Sequence, residues 1–313
     1  MVLEGGGMPG SQDFVSDPRN ETVLIYLNGA WVPRLEARVS IFDAGFVLGD
    51  GVWEGFRLHK GALLFLEAHL DRLFWGAREI ALDVGLSRDE LKLALWRTLD
   101  LNQMSDGVHV RLMVTRGTKK AVNQDPRNAL GVPTVVIVAE HKMPSREIAA
   151  KGLVLATSAI RCSSADVFDM RLNSHSRLNL IRALIDVMDH GADEALMLDS
   201  QGFVSSCNAT NFFFVKGGVL FTSTAEFCFN GITRAGVIAL AREHGVPLEI
   251  GNFRLEDVYG AQEAFVTGTF GGLTPVRSID GRQLSHHLPG PTTTRLRALY
   301  DLEKDSQAAQ VRR

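Results

Sequence analysis

The apolar positions of this chain change period in blocks, and each change marks an expected element. Val23 to Leu27 and Ala30 to Val32 flank Asn28-Gly29, a dipeptide suited to the tight primed turn of a hairpin. Leu63 to Leu66 reads as a short strand. From Glu67 to Val84 the residues Leu70, Leu73, Phe74, Ala77 and Ile80 recur at helical spacing, and Gly85 supplies a stop. Ser87 with Glu90 makes a capping box that opens a second helix through Leu91, Leu95 and Leu99. Val108, Val110, Leu112 and Val114 then alternate with other residues, and Thr134 to Ala139 is a short apolar run. Both predict strands of one antiparallel sheet.

The stretch His141 to Lys151 is charged, carries Pro144 and follows neither period, which predicts a connection between two domains. Strands are expected beyond it at Leu153 to Thr157, Ala195 to Asp199, Phe203 to Ser205, Asn211 to Val215 and Val219 to Thr222. Gly217-Gly218 closes the last pair as a hairpin. Helices fit Leu178 to His190, ended by Gly191, and Arg234 to His244, ended by Gly245. Strands clustered with two or three helices in each half predict an α+β protein of two domains, not one doubly wound parallel sheet. The expected division is a disordered segment over 1–20, a small α+β domain over 21–142 and a linker over 143–151. A larger α+β domain with a cofactor or phosphate pocket follows over 152–303, then a flexible tail over 304–313. No fixed-period repeat is visible, which disfavours solenoids and propellers.

Composition narrows the class. The 313 residues carry 33 Lys+Arg against 36 Asp+Glu and are 45% hydrophobic, ordinary values for a folded globular chain. Balanced charge gives no electrostatic reason to expect nucleic acid or a membrane surface as partner. Cys162, Cys207 and Cys228 are widely spaced without a CxxC pair, which suggests reduced thiols and no structural zinc. No apolar stretch approaches the roughly 18 to 20 residues that span a bilayer. Glu4 and three consecutive glycines stand where a secretion signal needs a basic end and an apolar core. A soluble cytoplasmic protein is the expectation.

Four blocks carry candidate chemistry. The first, Ser40 to Arg57, sets Gly45, Gly49, Gly51 and Gly55 among Asp43, Asp50, Glu54 and Arg57, and by itself reads as a turn-rich loop with salt bridges. The second is His69-Leu-Asp-Arg72, where Arg72 can clamp a phosphate or pair with an acid. In the third, Asn230-Gly-Ile-Thr233 opens the helix expected from Arg234. Free amides at a helix start favour an anion, although Thr233 can equally be an ordinary N-cap. The fourth, Thr267-Gly-Thr269 with Gly271-Gly272, gathers hydroxyls and amides that suit a phosphate.

In this order the blocks resemble the class IV aminotransferase family, the fold-type-IV pyridoxal-phosphate enzymes that include branched-chain and D-amino-acid aminotransferases, (R)-selective amine transaminases and aminodeoxychorismate lyase. The resemblance runs from about Leu24 to Leu299, and Gly191-Ala-Asp-Glu-Ala-Leu196 and Asn230-Gly-Ile-Thr-Arg234 are close to family wording. It implies two α+β domains, an active site in the interdomain cleft, and a homodimer whose partner closes the site. It also implies that Arg72, the amides of Ile232 and Thr233, and Thr269 hold the 5′-phosphate of the cofactor.

Two positions then depart from the family. Its Asp-x-Arg-Leu-Lys-Ser-x-Asn aligns without a gap on Asp169-Met-Arg-Leu-Asn173-Ser-His175-Ser, so the Schiff-base lysine falls on Asn173. Its Val-Thr-Glu-Gly falls on Val204-Ser-Ser206-Cys207, so the glutamate that faces the pyridine nitrogen becomes Ser206. An amide can neither form an internal aldimine nor shuttle a proton from Cα, and a neutral hydroxyl keeps the ring nitrogen protonated poorly.

Other residues near these positions offer alternatives. His175 can act as general acid or base, or be a partly buried structural histidine. Cys207 can be a nucleophile or a small core filler. Lys119 and Lys120, in Arg116-Gly-Thr-Lys-Lys120, can recognise a carboxylate or form a solvated loop tip, and Arg177 is a third candidate for substrate binding. His286-His287 lacks a third ligand, so no metal site is expected. Three readings follow from the resemblance and its departures. One is a small-molecule enzyme that uses the phosphate pocket for an anionic, phosphate- or carboxylate-bearing ligand without an aldimine. Another is a true aminotransferase with a displaced lysine or with pyridoxamine phosphate held non-covalently. The last is a non-catalytic ligand-binding or regulatory homologue. Pyridoxal or pyridoxamine phosphate, if bound, is expected to be non-covalent.

Overall fold

Residues 24–141 alternate apolar and polar positions strongly enough to build one sheet. Its strands are β1 (Leu24–Leu27), β2 (Ala30–Pro33), β3 (Gly51–His59), β4 (Ala62–Leu63), β5 (Val108–Thr115) and β6 (Thr134–His141). The helices of this region are α1 (Ala44–Leu48), α2 (Leu66–Glu79) and α3 (Arg88–Leu101). The computed structural model describes residues 10–284 and 287–311; His286 of the His286-His287 pair lies outside them, as does the start of the N-terminal segment. The sheet is antiparallel throughout, in the order β2-β1-β6-β5-β3-β4. Asn28 and Gly29 both adopt positive φ, as the expected hairpin requires. The Ser87–Glu90 capping box is present.

Period 2 sorts the strands into two faces. Val52, Phe56 and Leu58 of β3, with Val110 and Leu112 of β5 and Ile137 of β6, pack in one core with Leu70, Leu73, Leu91 and Leu95 of the helices. On the opposite face the register sets Trp53 beside Met113, Gly55 beside Arg111 and Arg57 beside His109.

Three expectations need correction here. Residues 51–57 are not loop: they belong to a nine-residue strand, and only the stretch before it turns. Glycine obscured that strand because a Cβ on Gly51 would lie 2.5 Å from the Val114 carbonyl and one on Gly55 3.2 Å from the His109 ring. The helix expected as far as Val84 stops at Glu79, where Ala81 turns to positive φ and the Leu82 amide reaches back to the Ala77 carbonyl. Residues 10–20, expected to be disordered, are anchored: the Asn20 side chain bonds both the carbonyl and the amide of His141.

The second unit comprises the described residues of the N-terminal segment up to Val15, then 144–171 and 178–303, while the first takes 16–143, the strap 172–177 and 304–311. Its strands are β7 (Leu153–Thr157), β8 (Glu194–Leu198), β9 (Val204–Cys207), β10 (Asn211–Lys216), β11 (Val219–Ser223), β12 (Leu248–Gly251), β13 (Glu263–Gly268), β14 (Gly272–Ile279) and β15 (Arg282–Gln283). Its helices are α4 (Arg146–Lys151), α5 (Ala165–Phe168), α6 (Leu178–Met188), α7 (Ile232–Glu243), α8 (Leu255–Tyr259) and the greater part of α9 (Pro291–Val311). The sheet runs β12-β11-β10-β13-β14-β7-β8-β9, with β15 on β14 and parallel pairs at β11–β12, β14–β7 and β7–β8. Phe212, Phe214, Val266 and Val276 lie in its core, and the Phe213 and Phe265 rings stack at 5.0 Å. The stretch 143–151, expected as linker, contains α4. The tail expected after 303 continues α9, where Asp305 accepts from Lys60 at 2.8 Å and Gln307 from the Phe65 amide at 2.9 Å.

Candidate active site

Two polar clusters stand out, one in each unit. In the first, the β3 alternation places Glu54 on the core face between Val52 and Phe56, fully buried beneath α2. His69 and Arg72, three apart on that helix, are the neighbours that reach it. Arg72 Nε and Nη2 donate to the two Glu54 oxygens at 2.7 Å each, and His69 Nδ1 donates to Oε2 at 2.6 Å. Burial pushes the Glu54 carboxyl up, but the Arg72 guanidinium and His69 hold it below the usual carboxylate range. Burial in turn depresses His69, which stays neutral.

The strap 172–177 adds itself to the start of β3. The Trp53 amide donates to the Asn173 carbonyl at 2.9 Å, the His175 amide to the Gly51 carbonyl at 3.0 Å, and the Trp53 indole to the Ser174 carbonyl at 3.0 Å. This contact explains Gly49 and Gly51: a Cβ on either would lie 2.6 Å from Ser176 Oγ or His175 Cδ2 respectively. The buried Asn173 side chain donates to the Trp53 carbonyl at 2.5 Å and accepts from Arg177 Nη2. The Arg111 and Arg177 guanidiniums sit 3.6 and 5.6 Å from the Trp53 ring centroid. Burial, with repulsion from Arg72 and Arg111, draws Arg177 down to about 10. Burial and Arg111 draw His175 down to about 4, so its imidazole is neutral near pH 7. Its Nε2 has no hydrogen-bond partner among the described residues.

The second cluster is threaded by Asn211 at the start of β10. Its amide nitrogen donates to the Phe229 carbonyl at 2.7 Å and to Ser206 Oγ at 3.4 Å, while Ser206 Oγ donates to the Thr210 carbonyl at 2.7 Å. Gly231 follows as the N-cap of α7, and a Cβ there would fall 2.2 Å from Asn211 Oδ1. The helix therefore starts at Ile232, two residues before the expected Arg234. Thr233 is a buried first-turn residue and not the cap. Beside Asn211 across the ladder stands Thr267, whose Oγ1 is buried without a partner among the described residues, and Thr269 follows in the turn after β13. Buried Glu194 accepts from Thr210 Oγ1 at 2.6 Å and is hydrogen-bonded to Ser11 of the N-terminal segment. Burial pushes Glu194 up to about 7.

The structure thus gathers Arg72, Asn173, His175 and Arg177 in one unit; in the other, Asn211 bonds Ser206, Ile232 and Thr233 follow Gly231 at the start of α7, and Thr269 follows the strand that pairs with β10. It does not assemble the lysine pair. Lys119 is buried and its ammonium donates to the Asp125 carbonyl of its own loop at 2.8 Å, while Lys120 is exposed. Lys119 closes that loop and offers no open cation. Cys207 is a buried thiol, pushed well above its ordinary value by burial and Glu194, and so is no nucleophile at neutral pH. Sequence reasoning missed Trp53, Arg111, Asn211 and Glu194. Only Arg111 left a trace, as a cation on the non-core face of an alternating strand.

A family model described as amino-transferase class IV matches residues 51–279. The chain belongs to the class IV aminotransferase family. It is 40% identical over 291 residues to branched-chain-amino-acid aminotransferase-like protein 1 of Arabidopsis thaliana, covering 92% of this chain and 52% of that one. It thus spans about half the length of that relative. It is 32% identical to a branched-chain-amino-acid aminotransferase of Pseudomonas aeruginosa, covering 88% of this chain and 91% of the relative. Among solved structures, a T.th. branched-chain amino acid aminotransferase with pyridoxamine 5′-phosphate superposes with a TM-score of 0.81 at 30% identity, covering 89% of this chain and 93% of that one. The α+β architecture with two sheets is that of the fold-type-IV aminotransferases.

Proposed function

We propose that this chain binds and turns over a small anionic molecule on the class IV aminotransferase scaffold without a covalent bond between protein and cofactor. One observation carries the reading. By family resemblance residue 173 is where the reactive amine belongs, and the Asn173 carboxamide is committed on both sides, to the Trp53 carbonyl and to Arg177. An amide nitrogen is not a nucleophile toward an aldehyde.

The residues present fit one end of a pyridoxal or pyridoxamine phosphate and not the other two. Each unit carries anion donors that suit a phosphate: Arg72, oriented by Glu54, in the first, and the first-turn amides of Ile232 and Thr233 with Thr269 in the second. Ser206 spends its proton on the Thr210 carbonyl and offers no negative charge to a pyridine nitrogen. In this reading His175 Nε2, unpartnered among the described residues, is the atom that takes a proton from the bound molecule. Its low pKa makes it a neutral, weak base. The family resemblance also implies a homodimer. The stripe Leu178, Ile181, Ile185 and Met188 exposed along α6 is an apolar surface such a dimer can use.

A second reading has its own support in the names of two of these proteins, a branched-chain-amino-acid aminotransferase of Pseudomonas aeruginosa and a T.th. branched-chain amino acid aminotransferase solved with pyridoxamine 5′-phosphate. Here the chain would be an aminotransferase that keeps pyridoxamine phosphate non-covalently. One experiment tests both. The purified protein is incubated with pyridoxal phosphate, treated with borohydride and digested for mass spectrometry. No pyridoxyl adduct is expected on any peptide, while pyridoxamine phosphate and inorganic phosphate raise the melting temperature. A ligand at a hundredfold excess over Kd adds about 2.7 kcal/mol. An adduct on any lysine overturns the first reading. Amino transfer from a branched-chain amino acid without an adduct selects the second.

A further inference from the structure

The described part of the N-terminal segment is anchored by one buried side chain. Of residues 10–15 only Ser11 is buried, while Phe14 forms a bridge to Pro144 with its ring half exposed. What holds Ser11 is a carboxyl group. Its Oγ is hydrogen-bonded to Glu194 Oε1, and the other Glu194 oxygen accepts from Thr210 Oγ1 at 2.6 Å. The segment also comes close to two stretches of backbone. A Cβ on Gly10 would stand 3.1 Å from the Asp193 carbonyl, and one on Gly271 would stand 3.7 Å from the Ser11 carbonyl. Ser11 therefore touches both the buried carboxyl and the turn 269–271 that carries Thr269.

The two sides of Glu194 differ in how far they can yield. Thr210 is fixed, because its carbonyl accepts from the Cys207 amide at 2.9 Å and from Ser206 Oγ at 2.7 Å. Ser11 belongs to no strand or helix. The titratable groups that face the carboxyl bring no positive charge. They are Asp193, next to it in the chain, and Cys207 on β9. Arg277 bears on Asp193, the Asp13 of the segment itself is exposed, and the turn 269–271 has no ionisable residue. Ionised Glu194 could accept from both hydroxyls, but two neutral donors replace a hydration shell poorly. Water can reach the carboxylate only by displacing the side that moves. Burial accordingly pushes Glu194 up to about 7, above its ordinary 4.5. The proton's contribution to docking is thus full below pH 4.5 and is lost as pH rises through 7.

We propose that residues 10–15 form a proton-held strap: protonated Glu194 keeps Ser11 docked, and loss of that proton to solvent releases the strap and loosens the turn that carries Thr269. This goes beyond the function proposed above and stands whether or not the turn holds a phosphate. A contact resting on one buried side chain is weak enough for a single proton to decide it.

Chymotrypsin cleavage after Phe14 reports release, since a protease samples the population in which the segment has lifted away. Full-length wild type, Glu194→Gln and Ser11→Ala are digested side by side at pH 6 and at pH 8.5, so the protease's own pH dependence cancels. Glu194→Gln is a neutral isostere that cannot lose the proton. The ratio of wild-type to Glu194→Gln cleavage should exceed one at pH 6 and be roughly tenfold larger at pH 8.5. Ser11→Ala removes the anchor and should be cut faster than wild type at pH 6. A ratio that does not change with pH, or Ser11→Ala cut no faster than wild type, overturns the strap. Hydrogen exchange over 268–272 at pH 8.5 should be faster in wild type than in Glu194→Gln, and equal exchange overturns the coupling to the turn.

Discussion

Glu54 shows how one buried side chain can organise a site while adding little stability of its own. Removing a carboxylate from water costs nearly what the guanidinium returns, so the intact pair is close to neutral, yet a lone buried partner is expensive. Glu54→Gln should therefore cost about 3–5 kcal/mol in urea unfolding, whereas Glu54→Leu with Arg72→Met should cost far less than the two single changes added together. Because the folded carboxyl lies below its ordinary value of 4.5, this contribution is present above that pH and is lost as pH falls below it. His175 makes a separate prediction. Its ring protons should titrate by NMR with a midpoint near 4 and not near the ordinary 6.5. A folded pKa below the unfolded one means that its stability contribution is full above 6.5 and declines as pH drops toward 4. A midpoint near 6.5 would show the imidazole to be solvated, and would remove its assignment as a buried neutral base.

The first half of β3 depends on the strap 172–177, and its two glycines should respond differently to one methyl group. On Gly51 a Cβ meets the Val114 carbonyl and the His175 ring at 2.5 and 2.6 Å, and a ladder carbonyl cannot move without breaking the β3–β5 pairing. On Gly55 the contact is the His109 ring at 3.2 Å, which a small ring shift relieves. Gly51→Ala should cost about 3 kcal/mol and increase hydrogen exchange in 172–177, while Gly55→Ala should stay near 1 kcal/mol. The same elements mark what could be read in the sequence. The Asn28-Gly29 hairpin and the Ser87–Glu90 box were legible because their physics is contained in a few adjacent residues. The end of α2 was not, since Arg116 caps it from across the sheet, donating to the Ile80 and Ala81 carbonyls at 2.7 and 2.8 Å. β3 was hidden for a related reason: its glycines make room for neighbours distant in sequence. Of the candidate site, motif order singled out positions 72, 173, 206 and 233 without saying what their side chains touch. That Asn173 grips Arg177, that Asn211 ties Ser206 to the start of α7, and that Lys119 turns into its own loop are tertiary facts with no local pattern.

With a formal charge of only −3, the folded protein carries little net self-repulsion, so a few buried groups shape its pH response. They pull in opposite directions. His109, lowered to about 3 by burial and Arg111, and His175, at about 4, both favour the folded state more as pH rises toward 6.5. Glu194 opposes them: its folded pKa of about 7 exceeds the ordinary 4.5, so its contribution is full below 4.5 and is lost as pH climbs through 7. Between these limits the unfolded chain has released a proton that the folded chain retains. Glu194→Gln keeps the shape, accepting from one of the Thr210 and Ser11 hydroxyls and donating to the other, but cannot ionise. Its stability relative to wild type should be flat below pH 4.5, should grow as pH rises to 7, and should level off about 3 kcal/mol higher. The group is buried on every side, so solvent screening does not dilute the effect. Paired melting curves from pH 4 to 9 measure it directly. A constant offset between the two proteins across that range would mean that Glu194 is ionised in the folded state throughout, and that the N-terminal segment docks through Ser11 onto a charge and not onto a neutral acid.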